Sequence, residues 1–318
     1  MREVFIGNIN VREHERLGNI NIDVVRKDVK HIIITGKNGT GKTTLLDAIW
    51  TVLTSLKLKE YRNIVNLSKD IDKCNDELKF IRDEEILTEN SKGNINKLKN
   101  RIEYYMLKRK KFCNGIDIKV FNDEELEKKF DIGEFICDYY KSRRIIDIEK
   151  KEGKTDINNF IDYLYQLKDR EEEAIAIDDE EEKILIQKWF NMFERLLEVI
   201  WLDKDLKFYY HEEIADYVIE EKNKQPYTLY ELSDGQSAAV KFFIEIMGKM
   251  EKCRTNKYDV EGIILIDELE KHIHPELQMK LLSMLSEFFP NVQFIITTMS
   301  PFILNSMEDC LICDLDKL

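Results

Sequence analysis

Residues 31–44 read HIIITGKNGTGKTT, in which an apolar run leads into a glycine-rich turn. Gly36 is followed after four residues by Gly41, Lys42 and Thr43, which is the pattern of a phosphate-binding loop between a strand and a helix. Glycine lets the backbone curl until its N–H groups point inward at phosphate oxygens, and the start of the helix adds a partial positive charge. The stretch therefore predicts a strand, a nucleotide-binding loop and a helix, in that order.

Two side chains of this loop are expected to have separate tasks. Lys42 is placed to reach the β- and γ-phosphates of ATP, and the Thr43 hydroxyl is placed to bind Mg²⁺. The predicted nucleotide contacts in the loop are Gly36, Lys37, Asn38, Gly39, Thr40, Gly41, Lys42, Thr43 and Thr44. ATP and Mg²⁺ are therefore the expected ligands.

A second motif, GIILIDE at 262–268, ends an apolar run with two carboxylates. A carboxylate at the end of a buried strand is costly unless a cation or a hydrogen-bond donor receives it. We expect Asp267 to bind Mg²⁺. We expect Glu268, the predicted catalytic residue, to polarise the water that attacks the γ-phosphate. Together with the upstream loop, this pair predicts ATP hydrolysis.

A third motif lies in ELSDGQSAAVKFFIEIM at 231–247, where Ser233, Asp234 and Gly235 precede a predicted helix. One interpretation is a helix N-cap. The same serine, glycine and bare N–H groups also form an anion site, and a second phosphate site in one chain suggests contact with the nucleotide of another subunit. Ser233, Gly235 and Gln236 are therefore candidate nucleotide contacts.

These three motifs, in this order, resemble the ABC-type ATPases, whose LSGGQ signature is similar to LSDGQ in this chain except at Asp234. The resemblance implies a head-to-tail homodimer in which two nucleotides are sandwiched. Each nucleotide would contact the phosphate-binding loop of one subunit and the signature helix of the other.

Three further stretches narrow the resemblance to the SMC-like and OLD-related branch of these ATPases. They are NINVREHERLGNINIDV near the start, DELEKHIHPELQ at 267–278 and TTMSPFIL near the end. This branch includes stand-alone ATPases of bacterial anti-phage systems, among them Septu-type and retron-associated ones. The resemblance covers both halves of the predicted nucleotide-binding head and none of the segment between them.

The branch implies roles for three more residues. Arg12 matches an arginine that often lies near the nucleotide, although a surface arginine fits the pattern equally well. His272 and His274 follow Glu268 where such proteins place the loop that crosses the dimer interface, and we favour that role over metal binding. We assign no glutamine to the loop that senses Mg²⁺.

The residue at position 299 departs from the branch. In FIITTMSP at 294–301 the family pattern has a histidine that contacts the γ-phosphate, whereas this chain has Met299. Methionine offers no strong hydrogen-bond donor. We expect ATP binding to persist and hydrolysis to be slow, because a contact made in the transition state is missing.

The predicted fold class is α/β, a P-loop NTPase with an ABC-type head and a mostly helical insertion. Apolar runs without alternation, each bounded by a helix, are typical of parallel strands buried on both faces. The head is predicted at 1–56 and 205–318, and the insertion at 57–204. Within the insertion, apolar residues spaced by three and four predict a coiled-coil hairpin at 57–112, with a turn at 88–94. An ordinary helix pair packed on the head is the alternative.

The charge and the apolar content of the chain limit the kinds of partner that it is expected to bind. The chain has 318 residues and a net charge of −13, the opposite sign from a protein that wraps nucleic acid by charge alone. Basic runs at 108–111 and 141–144 allow local contact with nucleic acid, although solvated surface is the favoured interpretation. No stretch reaches the roughly 18 apolar residues of a membrane span, so no membrane contact and a cytoplasmic protein are expected. Cys310 and Cys313 form a CxxC pair without the second pair that a metal site needs.

Two functional hypotheses follow. In the first, the chain is an ATP-gated sensor or scaffold in an anti-phage defence complex, paired with a separate effector such as a nuclease. In the second, it is an SMC-like DNA-repair or chromosome-organising ATPase whose hairpin contacts DNA. We favour the first, because the predicted hairpin is short and its tip carries neither a cysteine nor apolar residues. The long segment between the phosphate-binding loop and the signature disfavours a third class, the transporter ATPases.

Overall fold

The computed structural model describes residues 5–14, 17–24, 29–57, 61–82, 89–113, 116–141, 156–232, 234–250, 253, 260–271, 273–307 and 310–317. Its strands are β1 (Ile6–His14), β2 (Gly18–Asp23), β3 (His31–Thr35), β4 (Ile116–Val120), β5 (Phe135–Tyr140), β6 (Lys207–His211), β7 (Asp216–Glu220), β8 (Tyr227–Thr228), β9 (Glu261–Ile266), β10 (Val292–Thr297) and β11 (Cys310–Asp314). Its helices are α1 (Lys42–Lys57), α2 (Tyr61–Arg82), α3 (Glu89–Cys113), α4 (Asp123–Ile132), α5 (Asp156–Ile177), α6 (Glu180–Trp201), α7 (Asp234–Met250), α8 (Pro275–Phe288) and α9 (Pro301–Leu304).

The centre of the fold is a five-stranded sheet in the order β11-β3-β10-β9-β5, in which every neighbouring pair is parallel. Every residue of β10 is buried, as expected of a strand that is covered on both faces. The carboxyl ends of parallel strands lie at one edge of a sheet, so the loops that follow β3, β10, β9 and β5 gather there. The predicted α/β fold class is confirmed.

Helices cover both faces of this sheet and form two apolar cores. In β3, Ile32 and Ile34 pack on one side in the core that includes α1, whereas Ile33 packs on the other side in the core of α5 to α8. In β9, Ile263 and Ile264 are divided between the two cores in the same way. Alternate residues of a strand point to opposite faces, so both cores hold the same strands in place.

Two smaller antiparallel sheets have the orders β2-β1-β4 and β6-β7-β8. Gln293 of β10 joins the first of these to the central sheet. Its fully buried side chain accepts hydrogen bonds from the backbone N–H groups of Phe5 and Ile6. It donates hydrogen bonds to the carbonyl oxygens of Ile6 and Lys30. A buried amide that is bonded on both sides favours one arrangement of the two sheets.

Helices α2 and α3 pack against each other through the apolar positions that the sequence spacing predicts. Cys74, Leu78 and Leu98 are buried, and Ile81, Ile95, Ile102 and Tyr105 pack against them. The predicted turn at 88–94 is wrong from Glu89 onward, since α3 begins there and continues through Gly93. Ile95 and Leu98 pack on α2, and the helix that they belong to extends back through these polar residues despite their weak helix propensity. The supercoil of a coiled coil stays a prediction.

The domain boundaries at 56/57 and 204/205 also stay a prediction. The segment between them is not separate from the sheets, because β4 pairs with β1 and β5 pairs with β9. Helices α5 and α6 contribute to one of the two apolar cores. The apolar residues of both strands are buried, so the segment predicted as an insertion shares the sheets and cores of the head.

Among the residues that the structure describes, no helix is both long and apolar enough to span a membrane. No three His, Cys, Asp or Glu side chains among these residues are grouped as a metal site, and Cys310 and Cys313 lie on β11 without a disulfide.

Candidate nucleotide-binding site

The loop between β3 and α1 is bent by glycines in conformations that other residues rarely adopt. Gly36, Gly39 and Gly41 have φ angles of 145°, 85° and 97°. A Cβ atom at Gly41 would lie 2.3 Å from Cδ2 of Leu17, and one at Gly36 would lie 2.9 Å from Oγ1 of Thr40. Only glycine fits at these two positions without displacing a neighbour. The result is the curled backbone that directs N–H groups at a phosphate.

The outer side of the loop is open, and a lysine lies across its inner side. Lys37, Asn38 and Gly39 are exposed, whereas Lys42 is buried. Nζ of Lys42 donates hydrogen bonds to the carbonyl oxygens of Gly36 at 2.7 Å and Lys37 at 2.9 Å. An ammonium group has three donors, so one more can reach an anion held by the loop. A buried cation beside a glycine-rich turn at the start of a helix suits a phosphate ligand.

Asp267 lies at the end of β9, opposite the start of α1. It is 5% exposed, and Oγ1 of Thr43 donates to its Oδ2 at 3.0 Å. Oγ1 of Thr297 donates to its Oδ1 at 2.6 Å. Burial raises the pKa of Asp267, the two hydroxyl hydrogen bonds oppose that shift, and the neighbouring charges of Glu268 and Asp47 reinforce it. Hydroxyl and carboxylate oxygens are ligands that Mg²⁺ prefers, and a cation would offset the cost of the buried charge, so these residues fit Mg²⁺.

Glu268 follows directly but has a different environment. Its backbone adopts a left-handed conformation with φ of 54°, and its N–H donates to Oγ1 of Thr297 at 2.8 Å. Its side chain is 43% exposed, and Oε2 lies 3.3 Å from Nζ of Lys271. A non-glycine residue with positive φ is strained, and such strain often occurs at functional sites. Two adjacent carboxylates therefore face different surroundings, the first suited to a cation and the second to a water molecule.

Met299 lies in the loop after β10, which is the strand between β3 and β9. Its side chain is 45% exposed, and its backbone N–H donates to Oε1 of Glu270 at 2.7 Å. The thioether supplies no donor for a phosphate. Of the two histidines considered above, His272 lies outside the described residues. His274 is the exposed N-cap residue of α8 and makes no side-chain capping hydrogen bond.

The sequence matches the RecF/RecN/SMC N terminal domain family over residues 6–315. The chain belongs to this family. The match includes the loop at Lys42, the signature stretch and the carboxylates at 267 and 268. The resemblance to SMC-like ATPases that the motifs predict is confirmed.

Two relatives of this SMC-family chain are named for bacterial systems. Septu protein PtuA of Bacillus mycoides (strain KBAB4) is 24% identical over 324 residues, which cover 97% of this chain and 40% of that protein. Retron Ec83 probable ATPase of Escherichia coli is 31% identical over 94 residues, which cover 29% of this chain and 17% of that protein. The chain thus spans less than half of the length of either relative. The predicted relation to Septu-type and retron-associated ATPases is confirmed.

The solved structures that the chain matches include the SMC head domain from Thermotoga maritima. It is 10% identical, with coverage of 96% of this chain and 93% of that chain and a TM-score of 0.43.

The structure describes only some of the signature residues, and it describes only the backbone of Arg12. Helix α7 begins at Asp234, and Gln236 in its first turn is partly buried. Ser233 lies outside the described residues. Arg12 lies on β1, and nothing is described of its side chain. The nucleotide contacts assigned to Arg12, Ser233, Gly235 and Gln236 therefore stay predictions.

Sequence reasoning missed a group of residues beside Thr43. Lys141 follows β5, and its Nζ lies 2.8 Å from Oδ1 of Asp47. The ring of Tyr139 lies 5.9 Å from the ring of Trp50. Thr43, Asp47 and Trp50 recur at spacings of four and three, so they share one face of α1, and that spacing could have drawn attention to Asp47. Both charges of the ion pair are about half exposed, so it contributes little to stability by itself.

Proposed function

We propose that this SMC-family chain binds ATP together with Mg²⁺ and hydrolyses the ATP slowly. The observation that carries the proposal is the contact between the exposed Thr43 hydroxyl and the buried Asp267 carboxylate, which lie 224 residues apart in the sequence. This contact brings the phosphate-binding loop and the carboxylate strand together beside Lys42. A hydroxyl, a buried carboxylate and a buried ammonium at one sheet edge suit the phosphates of ATP and their cation.

Each residue has a distinct task in the proposed reaction. Lys42 binds and orients the phosphates, while Thr43 and Asp267 are the ligands for Mg²⁺. When bound, the cation neutralises part of the phosphate charge. Glu268 orients the attacking water and accepts its proton, which its position next to Asp267 and its partial exposure favour.

Met299→His is expected to raise the rate of ATP turnover about tenfold to a hundredfold, if one added transition-state contact contributes roughly 1.4 to 2.7 kcal/mol. The side chain at 299 is 45% exposed, so an imidazole can be accommodated without entering the core. ATP affinity should change little, because the remaining phosphate contacts are also made in the ground state. Steady-state kinetics with a parallel measurement of ATP affinity checks this.

The competing candidates for the phosphate contact are His272 and His274, and Met299→His is combined with His274→Ala to test the second of them. A faster single variant at position 299 supports the missing contact. An inert Met299→His variant with an unchanged melting temperature, together with a large loss of rate in His274→Ala, would assign the contact to His274 and contradict this explanation.

The wider role that we propose is that of an ATP-gated sensor or scaffold in an anti-phage defence complex with a separate effector such as a nuclease. The names of two relatives support it, one belonging to the Septu system and the other to a retron. The gate would be the head-to-tail pairing of two copies around ATP, with the signature stretch of one copy on the nucleotide of the other.

Ser233→Arg is expected to block ATP-dependent pairing without weakening ATP binding, since it places a bulky charge where α7 of one copy would meet the nucleotide of the other. Light scattering in ATP and Mg²⁺ measures the pairing, with Glu268→Gln as the background that prevents turnover. Asn94→Arg on the exposed side of α3 is the matched control for the added charge.

The nucleotide-free state serves as the second control, because a dimer formed through other surfaces would be present there as well. If the Ser233→Arg variant pairs with ATP as strongly as the Asn94→Arg variant, the proposed sandwich arrangement is wrong.

A further inference from the structure

The carboxylate of Glu270 joins two loops at the edge of the central sheet. Glu270 follows Glu268 by two residues, and its Oε2 accepts a hydrogen bond from Oγ1 of Thr298 at 2.7 Å. Its Oε1 accepts a hydrogen bond from the backbone N–H of Met299, also at 2.7 Å. Each oxygen of this carboxylate therefore receives one donor from the loop that follows β10.

The loop is also bound from its other sides. The N–H of Thr298 donates to the carbonyl oxygen of Ile34 in β3 at 3.1 Å. Oγ of Ser300 donates to Oε1 of Gln278 at 2.6 Å, and Nε2 of Gln278 donates to the carbonyl oxygen of Ile273 at 2.7 Å. Thr298, Ser300 and Gln278 are all buried. The backbone at position 299 is thus fixed, while the Met299 side chain is partly exposed.

The turn that carries Glu268 is attached to the same strand. Its N–H bonds to Oγ1 of Thr297, and the N–H of Leu269 donates to the carbonyl oxygen of Thr297 at 3.2 Å. Leu269 is 3% exposed and anchors the turn in the core. Glu270 completes this set of hydrogen bonds, because it links the end of the turn to Thr298 and Met299.

Topology places this connection inside the candidate site. Strand β10 lies between β3, which leads into the phosphate-binding loop, and β9, which leads into Asp267 and Glu268. The loop at Met299 therefore lies between the groups that would bind the phosphates and the residue that would activate water. The loop is bonded to both sides, through Ile34 at the end of β3 and through Glu270 after Glu268.

We infer that Glu270 is a positioning residue for ATP hydrolysis, which acts through Thr298 and the backbone of Met299 to hold their loop against the turn of Glu268. This inference rests on the proposed ATPase function. A carboxylate suits the task because it has acceptors only and can receive two donors at once. A glutamine has one acceptor oxygen in place of two, so either the Thr298 hydroxyl proton or the N–H of Met299 loses its charged acceptor.

Glu270→Gln is expected to lower the single-turnover rate of ATP hydrolysis about tenfold to a hundredfold, the cost of a misplacement of about 1 Å in a site. The dissociation constant of ATP should change less than about threefold, since Lys42 and Thr43 are untouched. Glu276→Gln, at an exposed position in the first turn of α8, is the matched control.

A second pair of variants tests the route through Thr298. Thr298→Val should slow hydrolysis to a similar extent, and Thr298→Ser, which retains the hydroxyl, should restore most of that loss. The double variant Glu270→Gln/Thr298→Val should lose less than the product of the two single losses in rate, because both variants remove the hydrogen bond between Glu270 and Thr298.

The inference is overturned if Glu270→Gln hydrolyses ATP within about twofold of the parent, or if its ATP affinity falls in proportion to its rate. A parent that binds no ATP or does not hydrolyse it would refute the proposed function instead. In that event amide hydrogen exchange of residues 298–300 tests whether Glu270 holds the loop in place. We expect exchange at least about tenfold faster in Glu270→Gln than in Glu276→Gln. Equal exchange in the two variants would overturn the connection itself.

Discussion

Glu268→Gln is expected to abolish the turnover of ATP and to leave ATP binding intact. The amide keeps the shape of the side chain but cannot accept a proton from the attacking water, and loss of a general base slows a reaction about a hundredfold to ten-thousandfold. The side chain follows the buried Asp267 at a strained backbone position, where partial exposure gives it access to water. Single-turnover hydrolysis, at ATP concentrations matched for equal binding, measures the effect.

Lys271, the charged neighbour of Glu268, requires its own control in this experiment. Nζ of Lys271 lies 3.3 Å from the Glu268 carboxylate, so Glu268→Gln also removes an ion pair. Lys271→Ala removes the same ion pair but leaves the carboxylate in place. An unchanged rate in Glu268→Gln would remove Glu268 from the proposed role, and an equal loss in both variants would assign the effect to the ion pair.

Lys42→Ala is expected to weaken ATP binding by at least about a hundredfold. A hydrogen bond from the remaining donor of Nζ to a phosphate contributes roughly 1.5 to 3 kcal/mol, and the lost attraction between the ammonium charge and the phosphates adds to it, so the total cost is about 3 kcal/mol or more. The carbonyl oxygens of Gly36 and Lys37 also lose the ammonium group that donates to them, which loosens the loop. Calorimetric titration with ATP and Mg²⁺ checks the prediction.

Lys280→Ala, which removes an exposed lysine from α8, controls for the change in net charge. Melting temperatures of both variants show whether the fold is retained. Equal ATP affinity of Lys42→Ala and the parent would contradict the assignment of the loop.

The parts of the site that could be predicted from the sequence are those whose structure depends on residues close together in the chain. The strand, the curled loop and the start of α1 follow from residues 31–44, where glycine spacing and apolar character act locally. The end of β9 at Asp267 is similarly local. The turn at 88–94 was mispredicted for the opposite reason, since the residues that follow it, Ile95 and Leu98, pack on α2 and continue the same helix.

Contacts between distant strands could not be predicted. Thr297 bonds to Asp267, and Thr298 bonds to Glu270, although each pair is about 30 residues apart in the sequence. The order of the strands in the sheet creates both contacts, and no periodic pattern in either segment specifies that order. The pairing of β4 and β5 with strands of the head was missed for the same reason.

Single-turnover hydrolysis of labelled ATP by the unmodified chain, with protein in excess and Mg²⁺ present, tests the central claim most directly. We expect the chain to retain ATP and to convert it slowly to ADP, and we expect Lys42→Ala to retain none under the same conditions. A chain that retains no ATP, or a conversion that proceeds equally in the Lys42→Ala variant, would contradict the claim that this site binds and hydrolyses ATP.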